Sequence, residues 1–276
     1  MLALTKRYPR KRAFITGAAS GLGAALCRQL AAEGWTIGMC DVRPEALAES
    51  VATIRSAGGT PLPYSLDVSD REAYAQVISA FLGAAGGVDL VVNNAGVAGG
   101  GAVGDYSLED WEWLLKINLL GPVYGCHFFA PHLKEQRSGH IINIASAAAL
   151  VPVPKMAAYC TAKAGVKMLS EVLSNELRAC GVDVSVVMPE FFRTNLHERT
   201  RGSEQAMARK MITGAKYSAE DVADTVLREA GRRELYITFP RHTQLIWWLL
   251  RLSPELGNRV IRSGERLERK RRGVTA

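Results

Sequence analysis

The chain has few cysteines, and none of their spacings suggests a metal site or a disulfide-stapled fold. The five stand at positions 27, 40, 126, 160 and 180 with no C-x-x-C pair. Such an odd, scattered set fits free thiols in a reducing compartment. Cys160 adjoins Tyr159 but points about a hundred degrees away round a helix, and is read as a small buried apolar side chain. Long apolar runs are also missing. The opening residues, Met1-Leu2-Ala3-Leu4-Thr5-Lys6-Arg7, hold no stretch long enough for a secretory signal. The most apolar segment, Leu245 to Leu252, falls far short of the about 20 residues that span a bilayer. These absences give the expectation of a cytoplasmic protein. Internal repeats, linkers and a basic face interleaved with aromatics are absent too, so no nucleic-acid partner is expected.

Charge is present but uneven. The net charge is +7, yet residues 1–12 carry five basic and no acidic side chains, and residues 240–276 carry nine basic against three acidic. The body between them, 13–239, has 20 basic against 24 acidic residues and is mildly acidic. Two readings stay open for the basic ends: simple solvation, or contact with an anionic membrane.

At 276 residues and 48% hydrophobic, the chain can bury one large core. Strand-like runs at Ala13–Thr16, Trp35–Cys40, Pro61–Leu66, Val88–Val92, His140–Ile144, Val182–Met188 and Leu235–Phe239 alternate with helical patterns. That alternation predicts an α/β fold: a doubly wound, Rossmann-type, seven-stranded and mostly parallel sheet with helices on both faces. The expected organisation is a basic segment, 1–12, one dinucleotide-binding catalytic domain, 13–239, and an apolar and basic tail, 240–276.

The first strand runs into Gly17-Ala18-Ala19-Ser20-Gly21-Leu22-Gly23 and then a helical pattern to Glu33. Strand, glycine turn and helix bring backbone N–H groups and a helix N-terminus to one point, which suits a pyrophosphate. Gly17 permits the tight turn, Gly21 lets the backbone approach the phosphates, and Gly23 lets helix and strand pack closely. Asp41 closes the second strand where a ribose-binding carboxylate belongs. A carboxylate there repels a 2′-phosphate, so NAD is expected over NADP. Arg43 could fold back on a phosphate, but Asp41 would neutralise it.

Tyr159 and Lys163 are four residues apart in a predicted helix, Met156 to Arg178, and so share a face. A phenol's unperturbed pKa is about 10, and an adjacent cation should draw it down towards neutrality. Ser146 ends the strand-like run Gly139 to Ala145 and can donate to a substrate oxygen. The set describes proton transfer at an alcohol or carbonyl carbon.

With T-G-x-x-x-G-x-G at Thr16 to Gly23, Asp67-Val68, Asn93-Asn94-Ala95-Gly96, Asn118, Ser146, Tyr159-x-x-x-Lys163, Pro189 and Thr194, the chain resembles the single-domain short-chain dehydrogenase/reductases from about Lys11 to Phe239. One departure is Glu190, where that family usually has glycine. The resemblance implies that Tyr159 is the acid/base and that Ser146 orients the substrate oxygen. It implies that Lys163 lowers the tyrosine pKa and holds the nicotinamide ribose. Asn118 would hold a water linking Lys163 to solvent, or serve as a packing amide bonded to backbone, two roles that the family combines. Ser20, Leu22, Val68, Asn94, Ala95, Gly96, Pro189 and Thr194 would line the cofactor cleft. Asp67 would accept from the adenine amino group, or else cap the helix starting near Asp70.

The substrate is expected to be a bulky, apolar alcohol or ketone. Val97 to Gly104, Leu150 to Met156, and Phe191, Phe192, Leu196, Met207, Met211 and Ile212 surround that region with few charges. A catalytically silent dinucleotide-sensing or scaffold protein on the same fold would predict loss of Ser146, Tyr159 or Lys163, and all three are present. The long helices Leu108 to Gln136 and Met156 to Arg178 are expected to pair in a homodimer or homotetramer. The tail could cover the substrate cleft as a lid, or lie on a membrane surface through Trp247, Trp248 and its leucines.

Overall fold

The structure, a computed structural model, describes residues 1–196, 200–240, 242–253, 255 and 259. Seven strands form one sheet: β1 (Arg12–Thr16), β2 (Thr36–Asp41), β3 (Thr60–Ser65), β4 (Leu90–Asn93), β5 (Gly139–Ile144), β6 (Val182–Pro189) and β7 (Tyr236–Phe239). Their order is β3-β2-β1-β4-β5-β6-β7, and every neighbouring pair is parallel. The sheet expected to be mostly parallel is wholly so.

Parallel pairing demands long crossovers. These contain α2 (Gly21–Ala31), α3 (Pro44–Ser56), α4 (Arg71–Ala85), α5 (Leu108–Leu115), α6 (Gly121–Gln136), α7 (Ala157–Arg178), α8 (Gln205–Thr213) and α9 (Ala219–Gly231). A short α1 (Ala3–Arg7) precedes the sheet and α10 (His242–Leu252) follows it. Side-chain alternation along β1 feeds two cores. Ala13 and Ile15 pack with Leu26 and Leu30 of α2 and with Val222 and Val226 of α9. Phe14 faces the other way, its ring 5.1 Å from Phe81 and 4.9 Å from Phe129. Gly38 on β2 leaves room for this aromatic group, since a Cβ there would come within 2.6 Å of Phe81.

The chain runs outward from β1 to β3 and then returns to the far side of β1 for β4. Connections leaving β1 and β4 therefore part in opposite directions and open a crevice at the strand carboxyl ends. The candidate site lies there.

Two expectations need correction. The basic segment 1–12 is not a solvated end. Leu4, Thr5 and Tyr8 are buried, α1 packs against α9, and Thr5 Oγ1 accepts from the Trp35 indole at 3.0 Å. Two of its five cations pair with acids distant in sequence: Arg7 with Asp183 at 3.5 Å, and Arg12 with Asp89 at 2.9 Å. The predicted helix Leu108 to Gln136 is also interrupted. Residues Lys116–Leu120 form a π turn in which the Gly121 N–H reaches the Lys116 carbonyl. Pro122 explains the break, because it lacks the N–H that a regular helix would aim at the Asn118 carbonyl.

The Arg12–Asp89 pair is buried on both sides, and Asp89 also accepts from the Arg12 backbone at 2.9 Å. Removing one member of such a pair strands the other charge in the core. Asp89→Ala is expected to lower stability by about 3 kcal/mol in urea unfolding; a loss within error of zero would mean that Arg12 finds water instead.

Candidate active site

The glycine turn after β1 is built for close approach. Gly17 and Gly21 have φ of +65° and +54°, a region that L side chains avoid. A Cβ on Gly23 would lie 2.1 Å from the Gly17 carbonyl oxygen, and one on Gly21 would lie 2.9 Å from Thr194 Oγ1. Thr16 Oγ1 accepts from the backbone N–H groups of Asn94 and Ala95, both at 3.0 Å. Asn94 in turn donates its side-chain amide to the Thr16 carbonyl at 2.8 Å. The loops after β1 and β4 are thus tied together, and α2 begins between them with no acidic residue in its first turn. Its orphan N–H groups and dipole favour an anion there. A Cβ would fill this cradle, so the residues present fit a dinucleotide pyrophosphate.

Beside it, Asp41 Oδ2 accepts from the Ala19 N–H at 3.1 Å, and Oδ1 accepts from Arg43 Nε at 3.1 Å. Arg43 Nη2 continues to Ser20 Oγ at 2.7 Å. Asp41 and Arg43 therefore neutralise each other at the cleft edge. Asp67 Oδ1 accepts from the Ser69 N–H and hydroxyl at 2.9 and 2.7 Å. The helix cap is Asp70, which accepts from Ala73 N at 2.9 Å, so the alternative role for Asp67 falls to its neighbour.

One cavity of about 450 Å³ collects most of the predicted residues. Gly17, Ser20, Gly21, Leu22, Asp41, Asp67, Val68, Asn94, Ala95, Gly96, Ser146, Tyr159, Lys163, Pro189 and Thr194 all line it. Gly23 and Asn118 stand behind the wall. Asn118 is fully buried, with Oδ1 accepting from Val97 N at 2.9 Å and Nδ2 donating to Val97 O at 2.8 Å. Its amide ties the π turn to the loop after β4 through the Val97 backbone, the packing role, which is compatible with the water-holding role that the family implies.

Tyr159 and Lys163 project from the first turns of α7 into the cavity, with Lys163 Nζ 5.7 Å from the phenol ring centre. Lys163 is buried and donates to the Ile144 carbonyl at 2.9 Å. Ser146 caps a short 3₁₀ turn, Ala147–Ala149, where Oγ accepts from Ala148 N at 3.2 Å. Ser146 is close enough to Tyr159 to act on its titration. The electrostatics differ from the expectation that Lys163 draws the phenol down. Although the tyrosine ring keeps some contact with solvent, desolvation of its hydroxyl pushes the pKa up to about 12, partly opposed by Ser146. Burial pushes Lys163 down to about 8. At neutral pH the pair is a neutral phenol above a charged ammonium.

Residues 11–205 match the family model described as short chain dehydrogenase. The chain belongs to the short-chain dehydrogenase/reductase family. It is 33% identical over 268 residues to "Probable oxidoreductase EphD" of Mycobacterium tuberculosis, covering 92% of this chain but 44% of that protein, so it spans less than half the length of that relative. It is 32% identical to 3beta-hydroxysteroid dehydrogenase 1 of Eggerthella lenta over 83% of this chain and 89% of the relative. Among solved structures, a short-chain dehydrogenase/reductase of Burkholderia phymatum in complex with NAD superposes with a TM-score of 0.85. It is 31% identical and covers 89% of this chain and 94% of its own.

On the substrate side of this short-chain dehydrogenase fold, Phe191, Phe192, Leu196 and Ile212 line the cavity with Val151, Val153 and Met156. Met207 and Met211 do not; they lie on α8 with 37% and 39% exposure. The glycines after Ala98 are also turned to packing. Gly99 bridges to Arg201 and Gly101 to Met156, and a Cβ on Gly99 would strike the Tyr106 hydroxyl. They join the loop after β4 to the segment that closes the cavity. Glu190, the departure from the family pattern, extends the β6–β7 ladder through its N–H to the Phe239 carbonyl at 2.7 Å. Its carboxylate accepts from Thr243 Oγ1 at 2.6 Å. Thr16, Ile144 and Val97 act through backbone and hydroxyl contacts that a residue pattern does not mark, although Thr16 lies inside the glycine motif.

Tyr159 keeps its proton across the working range, so the pH dependence of any proton donation by it falls to Lys163. The ammonium that stabilises a developing phenolate is lost as pH rises through about 8. The kcat/KM for reduction should be level below that pH and decline above it. A profile that stays level until the tyrosine itself ionises would contradict this assignment.

Proposed function

We propose that the chain moves a hydride between NAD and a bulky, apolar secondary alcohol or its ketone. The observation that carries this reading is the distribution of charge round the cavity. Its charged lining residues are Asp41, Arg43, Asp67, Lys163 and Glu190. The first three belong to the adenosine end on the reading above. Lys163 lies under the tyrosine, and Glu190 is engaged by Thr243 and lies 3.3 Å from His242 Nε2. Apart from Asn195, the rest of the lining round Ser146 and Tyr159 is aliphatic and aromatic surface, which desolvates an apolar substrate and offers a sugar phosphate no cation. The similarity to a hydroxysteroid dehydrogenase supports a substrate of that size and character. The preference for NAD rests on Asp41, whose charge opposes a 2′-phosphate and offsets Arg43. Free thiols at all five cysteines support a cytoplasmic setting.

The nicotinamide, when bound, supplies or accepts the hydride. The chain does the rest. Gly17, Gly21 and the N-terminus of α2 hold the pyrophosphate, while Asn94 and Gly96 wall the cleft. Ser146 offers its hydroxyl to the substrate oxygen; its bond to the Pro189 carbonyl is long at 3.5 Å and easily exchanged for one to substrate. Tyr159 gives its proton to that oxygen in reduction and takes it in oxidation. Lys163 stays charged at neutral pH and stabilises the phenolate that results.

Steady-state assays over secondary alcohols and ketones test this directly. Turnover is expected with apolar cyclic or aryl compounds, faster with NAD(H) than with NADP(H). Tyr159→Phe should lower kcat by about a thousandfold while leaving cofactor binding intact. Near-normal turnover in that variant would overturn the mechanism, and a strong preference for NADPH would overturn the reading of Asp41.

We also propose a homodimer or homotetramer that pairs α5, α6 and α7. Met168 and Val172, one turn apart on α7, are 58% and 45% exposed in the single chain, an apolar face suited to a two-fold contact. Light scattering is expected to give a multiple of the chain mass at micromolar concentration; a stable monomer would contradict it.

A further inference from the structure

We propose that α10 docks the protein on an anionic lipid bilayer. The helix has two faces. One is fixed to the body: Thr243 is buried and donates to Glu190, and Trp247 is 6% exposed against Tyr236, ring centres 4.9 Å apart. Lys167 Nζ lies 5.6 Å from the Trp247 ring centre, and Arg251 approaches the same ring at 5.2 Å. At a hundred degrees per residue, positions 243, 247 and 250 form this inner stripe.

The opposite stripe is apolar and turned outward. Leu245, Trp248, Leu249 and Leu252 are 67%, 54%, 66% and 81% exposed. They recur at i, i+3, i+4 and i+7, the pattern of a helix that buries one side. Among the described residues nothing covers them. A helix already anchored by its inner face has no internal reason to carry a second apolar stripe. Trp248 suits a water–lipid boundary, where an indole buries its ring and keeps its N–H wet.

Charge selects the occupant. The helix His242–Leu252 contains no acidic residue and has Arg251 in its last turn. In sequence it is followed by Arg259, Arg262, Arg266, Arg269, Lys270, Arg271 and Arg272, against Glu255, Glu265 and Glu268. The run from Arg262 to Arg272 lies outside the described residues, so its contribution is one of sequence alone. A stripe of leucines and tryptophan followed in sequence by clustered cations matches acyl chains beneath anionic headgroups. A second copy of the same basic helix would bring like charges together. The helix cannot cross a bilayer: among the described residues no helix is long and apolar enough.

Glu190 both lines the cavity and holds the first turn of α10. Docking would therefore set the mouth of the cleft beside the lipid from which an apolar alcohol arrives. That consequence rests on the substrate reading above; the docking itself does not.

The test is co-sedimentation of the full chain with phosphatidylcholine vesicles and with mixed phosphatidylcholine/phosphatidylserine vesicles, at low and high salt. A Trp248→Glu/Leu249→Glu variant, altered only on the outward stripe, is run beside it. The unmodified chain should bind the anionic vesicles and lose about tenfold in partitioning at high salt. The variant should lose about a hundredfold while keeping its melting temperature and its turnover of a water-soluble alcohol. No binding to anionic vesicles by the unmodified chain would overturn the proposal, as would equal binding by the variant. So would light scattering that shows the variant dissociating to smaller units, because the stripe would then belong to a second copy.

Discussion

A single ammonium group, buried where charge is costly, sets the terms for this site. Lys163 is fixed by the Ile144 carbonyl at 2.9 Å and lies beneath Gly96, where a Cβ would stand 3.7 Å from Nζ. Burying such a cation without a carboxylate costs stability, and the fall of its pKa to about 8 expresses that cost. The scaffold tolerates it because strands on either side are rigid. Asn93, Asn143 and Ser170 form a buried chain of hydrogen bonds, 2.8 and 2.9 Å, that ties β4, β5 and α7 together just below. A lysine held this way does not ionise the phenol in advance. On the proposed mechanism it stabilises the phenolate that proton donation would create.

Local periodicity made much of this legible in the sequence. Tyr159 and Lys163 meet because residues four apart share a helical face, and Gly17, Gly21 and Gly23 form a cradle because strand, turn and helix follow one another directly. Most of the strands were visible as apolar runs because the inner part of a parallel sheet is buried on both faces; β3 at the edge is half exposed. What the sequence hid depended on partners remote along the chain. Asn118 was placed in the right helix, but its commitment to Val97 requires the π turn imposed by Pro122. The basic segment 1–12 looked like a solvated end because Asp89 and Asp183, which hold Arg12 and Arg7, lie far beyond it. Met207 and Met211 sat in the right segment, but α8 turns them outward while Ile212 faces the cavity.

Glu190 joins these two kinds of information. In sequence it was only a departure from a family pattern, without a partner. In the fold it continues the ladder between β6 and β7 and fastens α10 through Thr243. Glycine at that position would leave the first turn of α10 without this acceptor. One residue change thus connects the end of β6 to α10, and through Trp247, Tyr236 and Glu171 to α7, which carries Tyr159 and Lys163.

The account's central claim is direct transfer of hydrogen between substrate carbon and nicotinamide, with the proton handled separately by Tyr159. A secondary alcohol deuterated at the carbinol carbon, oxidised in ordinary water with NAD, measures it most directly. The account predicts that the deuterium appears wholly in the reduced nicotinamide and none in solvent. Deuterium released to water would contradict it.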